Sequence, residues 1–225
     1  GSLCGRGMSA KPMTTLGFER RSNPLFHAMP FEEFHKVMTG EFQVRPDNFA
    51  VMVEKNRKGP ALLKEAAAFT RLAVPQVEQA VGNGAKLVDI RDQVAFGAAF
   101  LPGAINIGLR PNSVNWLGMV VEAASEIVVV ADSEADAREA QFRFRRAGYD
   151  KLIGYLADGV SGWAAQGKHL DHLPQLAAAS LKHVLDKYSD HVVLDVRTDP
   201  EWRAGHIERA VHTPISDLIQ NGTNL

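Results

Sequence analysis

A strand that runs directly into a polar segment and then a helix dominates the middle of the sequence. Residues 127–131 read Ile-Val-Val-Val-Ala, an unbroken apolar run that is typical of a strand buried on both faces of a sheet. The polar segment Asp-Ser-Glu-Ala-Asp follows at 132–136, and a helical pattern begins near Ala137 and stops at Gly148. Because ligands of open α/β sheets bind beyond the carboxyl ends of the strands, any site is expected at residues 132–138.

Short strands and helices alternate on both sides of this unit. The predicted elements are a helix from Pro75 and strands at 86–91, 101–107 and 151–155. Such alternation is typical of a parallel sheet that carries helices on both faces. The sequence therefore predicts an α/β domain at residues 70–172.

The sequence also repeats itself at an offset of 106 residues. Without a gap, Leu-Val-Asp-Ile-Arg at 87–91 lies over Val-Leu-Asp-Val-Arg at 193–197. Residues 174–225 are therefore expected to form the first half of a second domain of the same kind, and the counterpart of Asp132 falls beyond them. Half of a parallel sheet leaves an edge and a face uncovered. This segment is expected to pack on something, to pair with another chain or to be partly disordered.

Composition and charge argue against several classes of protein. The formal net charge of −1 offers no basis for binding nucleic acid or an anionic membrane surface, and no apolar run approaches the roughly 20 residues of a membrane-spanning helix. The single cysteine, Cys4, rules out an internal disulfide framework and is consistent with a reducing cytoplasm, which is the predicted location. His169 and His172 form an H-x-x-H pair in a linker without a third ligand, so no metal site is predicted.

The repeated segments resemble a known family. Val-Asp-Ile-Arg at 88–91 is similar to the first signature of rhodanese domains, and Leu-Asp-Val-Arg at 194–197, followed by Trp202, matches it better. The segment from Gly-Tyr-Leu to Gly-Trp at 154–163 resembles the closing part of such a domain. The resemblance implies a short rhodanese-like parallel sheet with helices on both faces, followed by a partial second copy. It also implies structural roles for the signature residues Asp89, Arg91, Asp195, Arg197 and His206.

The first 62 residues resemble a different family. Gly-Phe-Glu-Arg-Arg-Ser-Asn-Pro at 17–24 and Asn-Arg-Lys-Gly-Pro at 56–60 look like the C-terminal tail of metallo-β-lactamase-fold proteins fused to rhodanese domains. That family includes persulfide dioxygenases and related hydrolases. The resemblance implies that residues 1–62 end a domain whose metal, iron or zinc, is bound upstream, and that this chain holds no cofactor. The expected partners are the missing metallo-β-lactamase-like and second rhodanese domains, or another chain, as in a homodimer.

The segment after the central strand decides the expected chemistry. The resemblance implies that a working rhodanese has a cysteine directly after this strand, where a stabilised thiolate carries sulfur as a persulfide. Here that position falls on Asp132, or on Ala131 if the strand is one residue shorter, and neither side chain can hold a transferable sulfur. Asp132 is interpreted as an N-cap or first-turn carboxylate, with a cation- or amine-binding role as the alternative. No catalytic residue is predicted, and a degenerate active-site loop is assigned to Asp132, Ser133, Glu134, Ala135, Asp136, Ala137 and Arg138.

Two functional hypotheses stay open. In the first, the chain is a non-catalytic rhodanese-homology module that positions or couples neighbouring domains of a protein handling persulfide or thiosulfate sulfur. In the second, it belongs to an active thiosulfate sulfurtransferase or a metal-dependent persulfide dioxygenase or hydrolase whose catalytic residues lie outside these 225 residues. A regulatory domain that binds cations through the acidic loop is a weaker third interpretation.

Overall fold

A computed structural model describes residues 13–39, 46, 48–59, 69–188 and 191–221. The chain divides into two compact units, residues 1–45 and 46–225. Within its described part, the first unit consists of helix α1 (Leu16–Ser22), a 3-10 turn (Pro24–Phe26) and helix α2 (Phe31–Thr39). Cys4 lies outside the described residues.

The second unit is built on a five-stranded parallel sheet. Its strands are β1 (Thr70–Leu72), β2 (Lys86–Asp89), β3 (Ile105–Asn106), β4 (Ile127–Val130) and β5 (Leu152–Leu156). Their spatial order is β1-β5-β4-β2-β3, and every neighbouring pair is parallel. The apolar run thus lies in the centre of the sheet, where all four β4 side chains are 0% exposed. The predicted α/β class is confirmed.

Helices cover both faces of this sheet. Successive β4 side chains point to opposite faces, so they pack against different helices. Ile127 and Val129 pack against α6 (Ser113–Val120) and α7 (Glu134–Arg146), and Val128 and Val130 pack against α4 (Val74–Gly82) and α8 (Gly159–Ala165). Helix α3 (Asn48–Lys58) adds Met52 to the first of these two cores. The remaining helix of this part, α5, runs from Gln93 to Ala98.

The last described part of the chain reproduces the beginning of this fold. It comprises α9 (Ala178–Lys187), β6 (Leu194–Asp195), α10 (Asp199–Ala204), β7 (Val211–His212) and α11 (Ile215–Asn221). Strands β6 and β7 are parallel, with Leu194 opposite Val211 and Asp195 opposite His212. In the first copy Val88 is opposite Ile105 and Asp89 is opposite Asn106, so every member of the register is displaced by 106 residues.

Corresponding backbone hydrogen bonds agree as well. The Ile107 amide donates to the Asp89 carbonyl at 2.8 Å, and the Thr213 amide donates to the Asp195 carbonyl at 2.9 Å. Within the described ranges, no helix is long and apolar enough to cross a membrane.

Candidate functional site

The segment after β4 turns almost at once into a helix. Helix α7 begins at Glu134, so the expectation that the helical pattern starts near Ala137 is wrong. Ser133 has extended backbone dihedrals and acts as the N-cap, since its Oγ accepts a hydrogen bond from the Asp136 amide at 3.1 Å. The N-cap role predicted for Asp132 is therefore wrong and belongs to its neighbour. A serine hydroxyl placed one residue before the helix reaches the third amide, which is the geometry this residue type favours.

This capping uses one of the amide donors that an anion cradle would need. The Ser133 hydroxyl also donates to the Asp136 carboxylate at 2.5 Å, and the Ala137 amide donates to the Ser133 carbonyl at 3.1 Å. Glu134 and Asp136 place two carboxylates in the first turn, where they complement the positive end of the helix dipole. Ser133 thus caps the third amide of α7, and the carboxylates of Glu134 and Asp136 add negative charge where an anion would bind.

Asp132 is exposed and lies between two small cavities at the carboxyl edge of the sheet. One, of about 240 Å³, extends towards β2 and the segment after β3. The other, of about 230 Å³, extends towards β5 and the start of α8. Carboxylates and arginines line both cavities, including Arg91, Asp92, Arg110 and Asp136 in the first and Arg71, Glu134 and Asp158 in the second.

Glu134 is held in its ionised form by two neighbours. The hydrogen bond with the Tyr155 hydroxyl is the largest cause that lowers the pKa of the Glu134 carboxyl, and the hydrogen bond with Arg138 is the next. The Arg138 Nε donates to Glu134 Oε1 at 2.7 Å, one turn further along α7. Burial, and then the hydrogen bond to Glu134, raises the pKa of the Tyr155 hydroxyl. Because its pKa is lowered, Glu134 is poorly suited to donating a proton as a general acid near neutral pH.

Backbone packing holds the rim of this edge in place. Gly159, the first residue of α8, has a φ of 55°, and a Cβ there would lie 2.7 Å from the Ala131 carbonyl oxygen. Opposite, Arg71 forms an ion pair of 2.5 Å with Asp158. Arg71 escaped the sequence analysis because its three-residue strand shows no clear pattern, whereas Gly159 and Tyr155 belong to segments that were recognised without a role.

The signature residues Asp89 and Arg91 form a hydrogen-bonded pair at the end of β2. Arg91 makes a two-pronged contact with Asp89 (Nε to Oδ1 3.0 Å, Nη2 to Oδ2 2.7 Å), and its amide also donates to Asp89 Oδ1 at 3.0 Å. The Arg91 Nη2 reaches the Ala99 carbonyl at 2.7 Å as well, which ties the end of α5 to the strand. These contacts commit both carboxylate oxygens of Asp89 to Arg91, as in a residue pair that holds a turn.

The second copy repeats the motif in a more exposed setting. Arg197 bonds Asp195 through Nε at 2.9 Å and Nη2 at 2.5 Å, and it also reaches the Gly205 carbonyl at 2.9 Å. The hydrogen bond from the Arg197 side chain lowers the pKa of Asp195 to about 2. His206 Nδ1 lies 3.1 Å from the Trp202 carbonyl, and the two rings stack with centroids 3.5 Å apart. These contacts are compatible with the structural role expected of His206.

The described residues contain no group of three or more His, Cys, Asp or Glu side chains placed to hold a metal ion. His169, one member of the H-x-x-H pair, contacts Asp171 at 2.9 Å.

Comparison with known proteins agrees with this architecture. No curated protein matches the chain. Among solved structures, a metallo-β-lactamase from Staphylococcus aureus is similar with a TM-score of 0.55 and 22% identity, over 67% of this chain and 42% of that one. A thiosulfate sulfurtransferase from Pseudomonas aeruginosa has a TM-score of 0.40 and 17% identity, over 78% of this chain and 38% of that one. The chain thus spans less than half the length of either structure. A family described as "Rhodanese-like domain" matches residues 73–166 and 177–225, and the chain belongs to that family.

Proposed function

We propose that this chain is a non-catalytic rhodanese-homology module within a protein that handles persulfide or thiosulfate sulfur. The observation that carries the proposal is the segment after β4. Its position for a sulfur-carrying cysteine is taken by Asp132, and the residues that follow are already folded into α7 from Glu134 onward. The module then acts by holding neighbouring parts of the protein in place rather than by transferring sulfur.

Sulfur chemistry and charge both support the proposal. A persulfide requires a sulfur atom on the side chain, and the only cysteine in these 225 residues is Cys4. A donor such as thiosulfate is an anion, and it would meet the carboxylates of Asp132, Glu134 and Asp136, which line the two cavities beside arginines that already have partners of their own. The backbone amides that could offset this repulsion are partly committed to Ser133.

Contacts at the other end of α7 support a positioning role. Asn48 Nδ2 donates to the Ala147 carbonyl at 2.8 Å, and Lys55 Nζ donates to the Gly148 carbonyl at 3.1 Å. Helix α3 therefore caps the C-terminus of the helix whose N-terminus follows the degenerate loop. The segment that precedes the rhodanese-like domain is in this way anchored to the element nearest the former site.

The second candidate function concerns a larger parent protein. The likeness to the Staphylococcus aureus metallo-β-lactamase structure, together with the resemblance of residues 1–62, favours a parent with a metallo-β-lactamase-like domain. Such a parent would be a thiosulfate sulfurtransferase or a metal-dependent persulfide dioxygenase or hydrolase in the cytoplasm. Its iron or zinc and its catalytic residues would lie outside this chain. The two proposals are compatible, since the first describes this chain and the second describes its parent.

A thiocyanate assay tests the first proposal. The Cys4→Ser chain, which has no thiol, and the same chain with Asp132→Cys are incubated with thiosulfate and cyanide beside an active rhodanese domain. We expect neither variant to exceed the uncatalysed rate, because Ser133 caps the Asp136 amide and the carboxylates of Glu134 and Asp136 repel an anionic donor. Intact-mass spectrometry after donor treatment checks for an added sulfur atom. Turnover by the Cys4→Ser chain with Asp132 intact, or sulfur retained within 132–138 of that chain, would refute the proposal.

The Asp132→Cys variant separates the two arguments. Activity in that variant alone would show that the missing thiol is the sole defect and that the early start of α7 does not prevent catalysis. Inactivity in both variants agrees with both arguments.

A further inference from the structure

We propose that a further cavity at the carboxyl edge of the sheet binds a small aromatic carboxylate. The cavity, called the α6 pocket below, has a volume of about 240 Å³ and lies beyond β3, beside the starts of α5 and α6. Its polar and aromatic lining consists of Gln93, Asn106, Gly108, Arg110, Asn112 and Trp116, all in the first copy. The inference goes beyond the proposed function and does not depend on it, since no residue of the loop 132–138 lines this pocket.

The lining of the α6 pocket is positively charged. Arg110 carries the charge, and none of the described residues that line the pocket is acidic, whereas carboxylates line both cavities beside Asp132. Asp92, which lines the neighbouring cavity, already accepts hydrogen bonds from the Val94 and Ala95 amides at 2.8 and 3.1 Å. A guanidinium matches the planar geometry of a carboxylate, so the charge favours such an anion.

The guanidinium of Arg110 is held on the side of the α6 pocket. Arg110 also borders the cavity next to β2, but its Nη2 donates to Gln93 Oε1 at 2.5 Å, and Gln93 lines the α6 pocket and not that cavity. The backbone of Arg110 is fixed as well, because its carbonyl accepts a hydrogen bond from Arg143 Nη1 at 3.1 Å. Gln93 is a neutral partner, so it orients the guanidinium without compensating its charge.

Trp116 supplies an aromatic face to the α6 pocket. It is 43% exposed, although tryptophan is highly buried on average. It lies one helical turn after Asn112, the N-cap of α6, whose side chain makes no capping hydrogen bond. A flat ring can stack on the indole while the Asn112 amide and Arg110 bind polar groups in the plane of that ring. This combination suits an aromatic carboxylate better than an inorganic oxyanion.

The size and the floor of the α6 pocket limit the ligand. Its 240 Å³ is below the about 300–1,000 Å³ of pockets for drug-sized molecules, so a carboxylate on a single ring is the expected size. Asn106 Nδ2 donates to the Asp89 and Arg91 carbonyls at 3.0 and 2.9 Å. A Cβ at Gly108 would lie 3.3 Å from the Arg91 carbonyl oxygen, so the chain packs closely on the end of β2 there. The floor is thus held in place by backbone contacts.

The second copy shows that the fold does not require this lining. Backbone hydrogen bonds keep the offset of 106 residues as far as Leu109 and its counterpart Ile215. At the positions of Gln93, Asn106 and Arg110, the second copy has Asp199, His212 and Ser216. The Asp–Arg signature, in contrast, recurs with the same contacts. The residues that hold the turn are therefore kept, and the lining of the α6 pocket is particular to the first copy.

Binding of nicotinate to the full chain tests the proposal. Nicotinate has a flat ring and a carboxylate, nicotinamide keeps the ring without the charge, and cyclohexanecarboxylate keeps the charge without the flat ring. Titration calorimetry measures the affinity, and the indole N–H signal of Trp116, assigned by its loss in Trp116→Phe, reports the place of binding by NMR. We expect saturable binding of nicotinate and binding of the other two probes that is weaker by about tenfold or more.

Two variants of the chain target different parts of the α6 pocket. Arg110→Gln removes the charge at an exposed position, so the affinity for nicotinate should fall about tenfold while that for nicotinamide changes little, even if the second variant fails to fold. Trp116→Leu should cause a similar loss, and Trp116→Phe, which keeps an aromatic face, should lose less than about threefold. Arg203→Gln, at an exposed arginine of α10, is the matched control and should leave the affinity unchanged.

Four results would overturn the proposal. They are absence of saturable nicotinate binding up to about 10 mM, equal binding of nicotinate and either comparison probe, shift changes at the indoles of Trp163 and Trp202 but not of Trp116, and undiminished nicotinate binding by Arg110→Gln. None of them bears on the thiocyanate assay, so a failure of this proposal is distinguishable from a failure of the proposed function.

Discussion

Replacing Asp89 by Asn tests how much the burial of the Asp89–Arg91 pair, rather than its hydrogen-bond geometry, contributes to the free energy of unfolding. The Asp89 side chain is 0% exposed and that of Arg91 is 7% exposed. The substitution keeps the shape of the side chain but removes its charge, and it turns one acceptor into an amide donor that faces a guanidinium donor. Arg91 is then left as a buried cation without the carboxylate to which it is hydrogen-bonded.

The expected cost follows from that burial. Removing one partner of a buried ion pair lowers the free energy of unfolding by about 3–5 kcal/mol. A typical domain has about 5–15 kcal/mol in total, so the loss is a large share of the stability. The second copy offers a matched control, because Asp195 and Arg197 make the same contacts while the Arg197 side chain is 44% exposed. Water solvates the stranded guanidinium in Asp195→Asn, so that variant should lose much less.

Hydrogen-exchange mass spectrometry reports on the two copies separately in each variant. Peptides covering 86–91 in Asp89→Asn should lose protection by about 150- to 5,000-fold, and peptides covering 192–197 in Asp195→Asn should lose far less. A further variant replaces both members of the buried pair, Asp89→Leu with Arg91→Met, and should be more stable than Asp89→Asn because no buried charge is left. Equal losses in the two Asn variants, or a double variant no more stable than the single one, would refute the reasoning.

Three further predictions concern other parts of the structure. The pKa of Asp195 is about 2 in the folded protein against an ordinary 3.8, so this carboxylate should stabilise the second copy fully above about pH 4. The stabilisation should be lost as the pH falls towards 2. Carboxyl NMR titration measures this pKa, and a midpoint near 3.8 would contradict the prediction. Gly159→Ala should lower the free energy of unfolding, measured by urea titration, by about 1–3 kcal/mol, because the new methyl group meets the Ala131 carbonyl at a positive φ. The control Gly82→Ala has open space around the new methyl group and should cause no such loss. Equal losses in the two variants would count against the contact. Asn48→Ala should cost about 1–3 kcal/mol and speed proteolysis of α3, because a buried carbonyl at the end of α7 loses its donor; unchanged cleavage would argue against the anchoring role.

Most of the fold followed from local patterns. The run at 127–131 predicted the central strand because only a position covered on both faces accepts uninterrupted branched apolar residues. Strand β1 was missed because Thr70–Leu72 has only three residues, of which two are exposed, and so carries little periodicity. Helix α6 was also missed. Its start at Ser113 has no side-chain cap, and its apolar residues gain their meaning only from the sheet they cover.

The candidate site was predicted in place but not in detail. Its location after β4 followed from the general geometry of parallel sheets. The start of α7 was placed too late because Glu134 and Asp136 resemble loop residues in composition, whereas at the positive end of a helix they are favourable. Arg71 and Tyr155 could not be joined to the site from the sequence, since strand pairing places Tyr155 beside Val129 of β4 and Arg71 beside Tyr155, which lies 155 − 71 = 84 residues further along the chain.

The sequence alone determined that no thiol follows the central strand, that the chain repeats after 106 residues, and that Asp and Arg recur in each copy. These are properties of the residues themselves and of their spacing. Only the tertiary structure decided that Ser133 caps α7 and that Arg91 is buried while Arg197 is exposed. The physical reason is that burial depends on what covers a residue. In the first copy, α6, β4 and α7 pack around β2 and β3, and within the described residues no equivalent strand lies beside β6.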